Sequence, residues 1–143
     1  MARSSSVLVV DDDGEMRMLL LDVLQKEGYE VAEAANGAEA VVALRARSYD
    51  VIVLDKNMPG PSGLDLLPGL RRVCPDSRFI MMTAFGDVPS YAEAMERGAA
   101  AFLFKPFPIE RFTEAVCEAL KPKRIPADLE SMPVTARAAT PRR

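Results

Sequence analysis

The chain contains no histidine, so no metal centre built on Cys/His spacing is possible. It has only two cysteines, Cys74 and Cys117, far apart and in different predicted helices. They fit free thiols in a reducing cytoplasm better than a disulfide framework. Long apolar runs are missing too: nothing approaches the ~20 residues of a membrane span. The segment Met1 to Ser6 leads straight into an apolar strand pattern and leaves no room for a signal peptide. There is no internal repeat. The body also lacks a basic excess. Residues 1–120 carry 12 Lys/Arg and 19 Asp/Glu, a balance of −7, which argues against nucleic-acid binding by this part. Residues 121–143 carry 6 basic and 2 acidic residues, a balance of +4. A tail of that kind is ordinarily solvated, although it can meet an anionic partner. The length of 143 residues suits one domain, and 49% apolar with 27% charged residues is ordinary globular composition.

What the chain does have is an acidic triplet behind an apolar run: Val7-Leu8-Val9-Val10-Asp11-Asp12-Asp13. The run reads as a buried strand of a parallel sheet. Acids crowded at its carboxyl end repel one another and lose solvation, an arrangement best tolerated beside a cation such as Mg²⁺. A solvated acidic loop capping the next helix explains the triplet equally well. A second run, Tyr49-Asp50-Val51-Ile52-Val53-Leu54-Asp55, also stops on a carboxylate. It is followed by Lys56-Asn57-Met58-Pro59-Gly60-Pro61-Ser62-Gly63, a loop by its two Pro and two Gly. Arg78 to Met82 ends on Thr83-Ala84, and Ala101 to Phe104 ends on Lys105-Pro106. Ligands of open α/β sheets bind beyond the carboxyl ends of the strands, so all four polar ends should meet.

Helical patterns alternate with these strands. Glu15–Glu27 carries Met16, Leu19, Leu20, Val23 and Leu24 on one stripe, with Gly28 just past its end. Glu30–Ala34 is a short second strand. Further helices are expected over Ala38–Arg47 after Asn36-Gly37, Gly63–Val73 with Pro68 inside it, Pro89–Arg97 with Asp87 as N-cap, and Ile109–Leu120 after Pro108. A proline inside a helix removes one hydrogen bond and can kink it. Met81, Met82 and Met95 read as core filler. Five βα units in succession predict a parallel sheet with helices on both faces. Residues 1–5 form an N-terminal extension and 6–120 the domain. Residues 121–143, with Pro122, Pro126, Pro133 and Pro141 and no apolar periodicity, form a basic, disordered tail or linker.

These residues resemble a bacterial response-regulator receiver domain, the phospho-accepting half of a two-component system. The resemblance covers residues 5–120. It rests on Val10-Asp11-Asp12-Asp13, Leu54-Asp55-Lys56-Asn57-Met58-Pro59-Gly60, Met82-Thr83-Ala84, Phe102 and Lys105-Pro106-Phe107, in order and at the family's spacing. The stretch from Met58 to Leu67 and the stretch from Thr83 to Val88 look most like receivers of the nitrogen-regulation type. The resemblance implies a flavodoxin-like (βα)₅ fold, a doubly wound parallel sheet in the order 2-1-3-4-5.

It also implies site roles. Asp55 is the phosphoacceptor, a carboxylate that attacks phosphorus when ionised, exposed and in line with the leaving group. Asp11 and Asp12, with Asp55 and the backbone carbonyl of Asn57, hold Mg²⁺, for which Mn²⁺ can substitute. Asp13 falls at a less critical acid. Lys105 neutralises the phosphoryl oxygens with the metal, and Thr83 hydrogen-bonds one of them. Ala84 is small and leaves the site open to a donor. The Lys105-Pro106 bond is expected to be cis. On phosphorylation Thr83 moves inward and Phe102 follows, remodelling the face of the fourth helix, fifth strand and fifth helix. Tyr91 and Val88 are candidate contacts there.

The implied partners are a sensor histidine kinase or phosphotransfer protein and, on phosphorylation, a second copy of the chain. Neither nucleic acid nor membrane is implied as a direct partner, and the expected location is cytoplasmic. The first helix either serves only the core or docks the kinase through its side with Met16 and Arg17. The domain would be a signalling module that catalyses only its own phosphoryl transfer and dephosphorylation. Three alternatives stand beside this. A phosphohydrolase of the haloacid-dehalogenase type wants an acid where Asn57 stands. A flavin module wants a phosphate-cradling loop where Asp11, Asp12 and Asp13 stand. A phosphate-independent scaffold would not need the complete site. No helix-turn-helix or ATPase motif follows Leu120, so a stand-alone receiver and the N-terminus of a larger regulator both remain open.

Overall fold

The computed structural model describes residues 4–84 and 88–121, with no side-chain description at 84 and 88–90. Elements alternate as β1 (Ser6–Val10), α1 (Gly14–Lys26), β2 (Glu30–Ala34), α2 (Gly37–Ala46), β3 (Val51–Asp55), α3 (Gly63–Val73), β4 (Arg78–Ala84), α4 (Val88–Glu96), β5 (Ala101–Lys105) and α5 (Ile109–Leu120). The strands form one parallel five-stranded sheet ordered β2-β1-β3-β4-β5. This is the flavodoxin-like arrangement expected. The boundaries differ by a residue or two. β4 runs on through Thr83 and Ala84, and β5 includes Lys105, because both segments stay paired that far.

Alternation along each strand divides the core into two layers. Leu8, Val10, Ile52, Leu54, Phe79, Met81 and Phe102 face the α2, α3 and α4 side, with Leu44, Leu67 and Ala94. Val7, Val9, Val51, Val53, Ile80, Met82 and Leu103 face α1 and α5, with Leu20, Leu24, Phe112 and Val116. Both faces of β1 and β3 are covered, which is why these strands read as unbroken apolar runs.

Two side chains assigned to the core are outside it. Leu19 is 48% exposed. It lies about 100° round the helix from Leu20, beyond the arc that meets the sheet. The inward arc of α1 is Leu20 and Leu24, flanked by Met16, Leu21 and Val23. Met95 is 38% exposed on α4, next to Ala94, which takes the inward position. Cys74 is not inside a helix but caps α3, its thiol donating to the Leu70 carbonyl at 3.0 Å. Cys74 and Cys117 are both free thiols.

Helix starts follow side-chain chemistry. Asp13 accepts from the backbone N–H groups of Glu15 and Met16, Asn36 from that of Glu39, and Ser62 forms a capping box with Asp65. Asp87, the expected cap of α4, and residues 122–143 lie outside the described residues. Pro68 does not interrupt α3. Its ring removes the donor for the carbonyl of Leu64, and the guanidinium of Arg97 supplies one instead, 2.6 Å away. Among the described residues no helix is long and apolar enough to cross a membrane.

Candidate functional site

β1, β3, β4 and β5 deliver their polar residues to one end of the sheet. Asp11 follows β1 directly and is fully buried. Asp55 is the last residue of β3 and 2% exposed, and Thr83 is fully buried near the end of β4. Lys105 closes β5, paired in register with Ala84. Its ammonium lies 3.2 Å from Oδ2 of Asp11 and 3.5 Å from Oδ1 of Asp55. The Lys105–Pro106 peptide is cis.

The two readings of the acidic triplet divide between its residues. Asp13 is the helix cap, its Oδ1 taking the N–H of Glu15 at 3.0 Å. Asp11 and Asp12 instead join Asp55, with one oxygen from each within 4.8 Å of the others. Backbone geometry forces this division. The chain leaves the sheet at Asp11 and enters the helix after Asp13, so only the first acids can reach the crevice.

Asp55 is less accessible than a surface nucleophile, because Lys105, Asn57 and Asp11 surround it. Its Oδ1 accepts the backbone N–H of Asn57 at 3.2 Å. Burial pushes its carboxyl up to about 6, and the Asp11 charge adds to the effect, while Lys105 and the Asn57 N–H oppose it. One ammonium faces two buried carboxylates, so the site is short of positive charge. Three carboxylates, two of them buried, offer hard oxygen ligands, and that donor set fits Mg²⁺ or a cation like it. The Asn57 side chain donates from Nδ2 to the Thr83 hydroxyl at 3.5 Å. Phe102 is buried, edge-to-face with Tyr91 at 5.6 Å between ring centroids, and it also contacts Phe104. The side chains of Ala84 and Val88 are not described.

Two residues matter to this geometry in ways the sequence did not signal. Gly63 packs so closely on the chain leaving β3 that a Cβ there would lie 2.5 Å from the backbone oxygen of Asp55. A glycine opening a helix after a Pro/Gly loop carries no mark of that. Arg17 donates to the backbone carbonyl of Asp11 at 2.6 Å. The sequence offers Arg17 only as a kinase-facing residue on an exposed side of the helix, whereas its side chain is 18% exposed.

The fold and site define a class: a parallel doubly wound α/β domain that gathers acids, a hydroxyl and an amine at the carboxyl end of its sheet. Comparison with known proteins names the family. Residues 7–117 match the response regulator receiver domain. The chemotaxis protein CheY of Thermotoga maritima is 40% identical over 111 residues, 77% of this chain and 92% of that protein. The transcriptional regulator NtrC of Azospirillum brasilense is 33% identical across 94% of this chain, which spans only 30% of that protein. The solved structure of the chemotaxis response regulator CheY4 of Vibrio cholerae superposes with a TM-score of 0.76 at 31% identity, covering 82% of this chain and all of that one. The chain belongs to the response-regulator receiver family. Receiver domains are the signalling modules of two-component systems.

Proposed function

We propose that this domain accepts a phosphoryl group on Asp55 and relays the change to the α4–β5–α5 face. The observation that carries the reading is the ammonium of Lys105 within 3.5 Å of both Asp11 and Asp55, beside a three-carboxylate cluster. Phosphoryl transfer needs mostly positioning and charge neutralisation. Lys105 supplies one fixed positive charge and orients Oδ1 of Asp55. Oδ1 already faces two donors, so Oδ2 is assigned the attack. It forms the new O–P bond as the donor's P–N or P–O bond breaks, and the leaving group departs with the electron pair. Asp11, Asp12 and Asp55, with the backbone carbonyl of Asn57, would hold Mg²⁺ or Mn²⁺, which when bound adds the charge that Lys105 cannot supply alone. Asp13 stays on the helix N-terminus and takes no part.

The donor is a histidine kinase or phosphotransfer protein, or a small phosphodonor. Thr83 is the residue that senses the new group. Its hydroxyl, now near Asn57, turns to a phosphoryl oxygen, and Phe102 and Tyr91 adjust behind it. A population shift between two states a few kcal/mol apart suffices. The exposure of Tyr91 supports a readout of that change at the surface. A partner or a second copy of the chain reads it there, without direct contact with nucleic acid. The domain acts on no external substrate beyond its phosphodonor and catalyses only its own phosphorylation and dephosphorylation.

The test is intact-protein mass after incubation with acetyl phosphate, with and without Mg²⁺, on the wild type and Asp55→Asn. One added phosphoryl group requiring both the cation and Asp55 is the expected result. Equal uptake by Asp55→Asn would overturn the assignment.

A further inference from the structure

Asp11 is held at every polar atom it has. Its N–H donates to the Ala34 carbonyl at 3.1 Å, Oδ1 accepts the N–H of Asp13 at 2.9 Å, and Oδ2 faces Lys105 at 3.2 Å. Its carbonyl oxygen accepts from Nη1 of Arg17 at 2.6 Å. Nε of the same guanidinium pairs with Oε1 of Glu33 at 2.8 Å, and the Arg17 side chain is only 18% exposed. Glu33 and Ala34 are adjacent at the end of β2, so that strand end anchors both the N–H and the carbonyl of Asp11. The Asp11 carbonyl belongs to the planar peptide that leads into Asp12. Fixing it fixes the plane between two of the three cluster carboxylates.

We propose that Arg17 is a positioning residue for the cation site, locking the Asp11–Asp12 peptide through its bridge to Glu33. The inference rests on the phosphoacceptor reading above. Arg17 does not reach the carboxylates, and its charge is matched by Glu33, so its effect is on geometry. Outer groups that orient ligands commonly govern affinity about as strongly as this role requires. A lysine can reach the carbonyl or the carboxylate but not hold both in one plane.

The experiment is calorimetric Mg²⁺ titration of the full chain, with thermal melts in EDTA alongside. The variants are Arg17→Ala, Arg17→Lys and Glu33→Gln, with Arg47→Ala as a control at the exposed Arg47–Glu30 pair. Arg17→Ala should weaken Mg²⁺ binding about tenfold, and Glu33→Gln and Arg17→Lys by less. Arg47→Ala should change the melt without changing the affinity. Unchanged or tighter Mg²⁺ binding in Arg17→Ala would overturn the proposal. If that variant does not fold, unchanged binding in both Arg17→Lys and Glu33→Gln would do so. A wild type that binds no Mg²⁺ would instead refute the phosphoacceptor reading itself, and this inference with it.

Discussion

Arg97 gives its guanidinium to the carbonyl oxygen of Leu64 across 2.6 Å, and that oxygen is the one whose helical donor Pro68 removes. Arg71 returns a bond from α3 to the carbonyl of Arg97 at 3.1 Å. The C-terminal end of α4 is thereby tied to α3, while its N-terminal end follows the strand that carries Thr83. A proline that should weaken α3 thus frees the carbonyl that one of the two ties between the helices uses.

Removing Arg97 should leave the buried Leu64 carbonyl without a donor, at a cost of about 1–3 kcal/mol. Pro68→Ala restores the helical N–H, so Arg97→Ala should cost distinctly less in that background. A urea double-mutant cycle measures the difference. Equal losses with and without Pro68 would show that Arg97 stabilises the fold by another route.

Asp55 makes stability depend on pH. Its carboxyl sits at about 6 in the fold against an ordinary 3.8, so the folded state holds the proton more tightly than the unfolded chain. In EDTA the domain should therefore be most favoured at low pH with respect to this group and lose stability as pH rises through about 6. Asp55→Asn should remove that loss and be more stable than the wild type at pH 7 by about 1–3 kcal/mol, with little advantage near pH 4. Urea midpoints across that range test it. An advantage independent of pH would mean the carboxylate charge is not the cause.

Lys105→Ala should permit some phosphoryl uptake, because the acids and their cation remain. It should also break the link between uptake and any change in self-association, since no ammonium would join the phosphoryl group to β5. Sedimentation of the treated and untreated variant is the measurement, and a normal phosphate-dependent shift would remove Lys105 from the relay.

Gly63→Ala and Gly69→Ala make a matched pair on α3. A Cβ at Gly63 would press on the backbone of Asp55 at 2.5 Å, whereas nothing lies within 4 Å of one at Gly69. Gly69→Ala should stabilise the domain by about 0.5–1 kcal/mol through helix propensity. Gly63→Ala should destabilise it and slow phosphoryl uptake from acetyl phosphate. Uptake at the wild-type rate in Gly63→Ala would show that the loop can give way without moving Asp55.

Much of the fold was legible because its signals are local. Apolar runs in β1 and β3, glycine after α1, Asn36-Gly37 ahead of α2 and the βα alternation each report on a few consecutive residues. The apolar stripe of α1 extends one residue, to Leu19, beyond the arc the sheet covers, since periodicity shows that a face is apolar but not how much of it is buried. Met95 lies outside the core for the same reason, with Ala94 beside it taking the inward place. Residues Asp11, Asp12, Asp55, Thr83 and Lys105 could be grouped in advance, because a parallel sheet brings its strand ends together.

The sequence by itself determined the order of elements, the two-sided burial of the central strands and which residue types stand at their carboxyl ends, all properties of short stretches of chain. The tertiary structure alone decided that Asp13 caps a helix while Asp11 turns inward, that Arg17 joins the Asp11 carbonyl to Glu33 at the end of β2, and that Arg97 serves an oxygen 33 residues away. Those outcomes depend on distances between elements, and a surface arginine in sequence has no feature that says which backbone carbonyl it will meet.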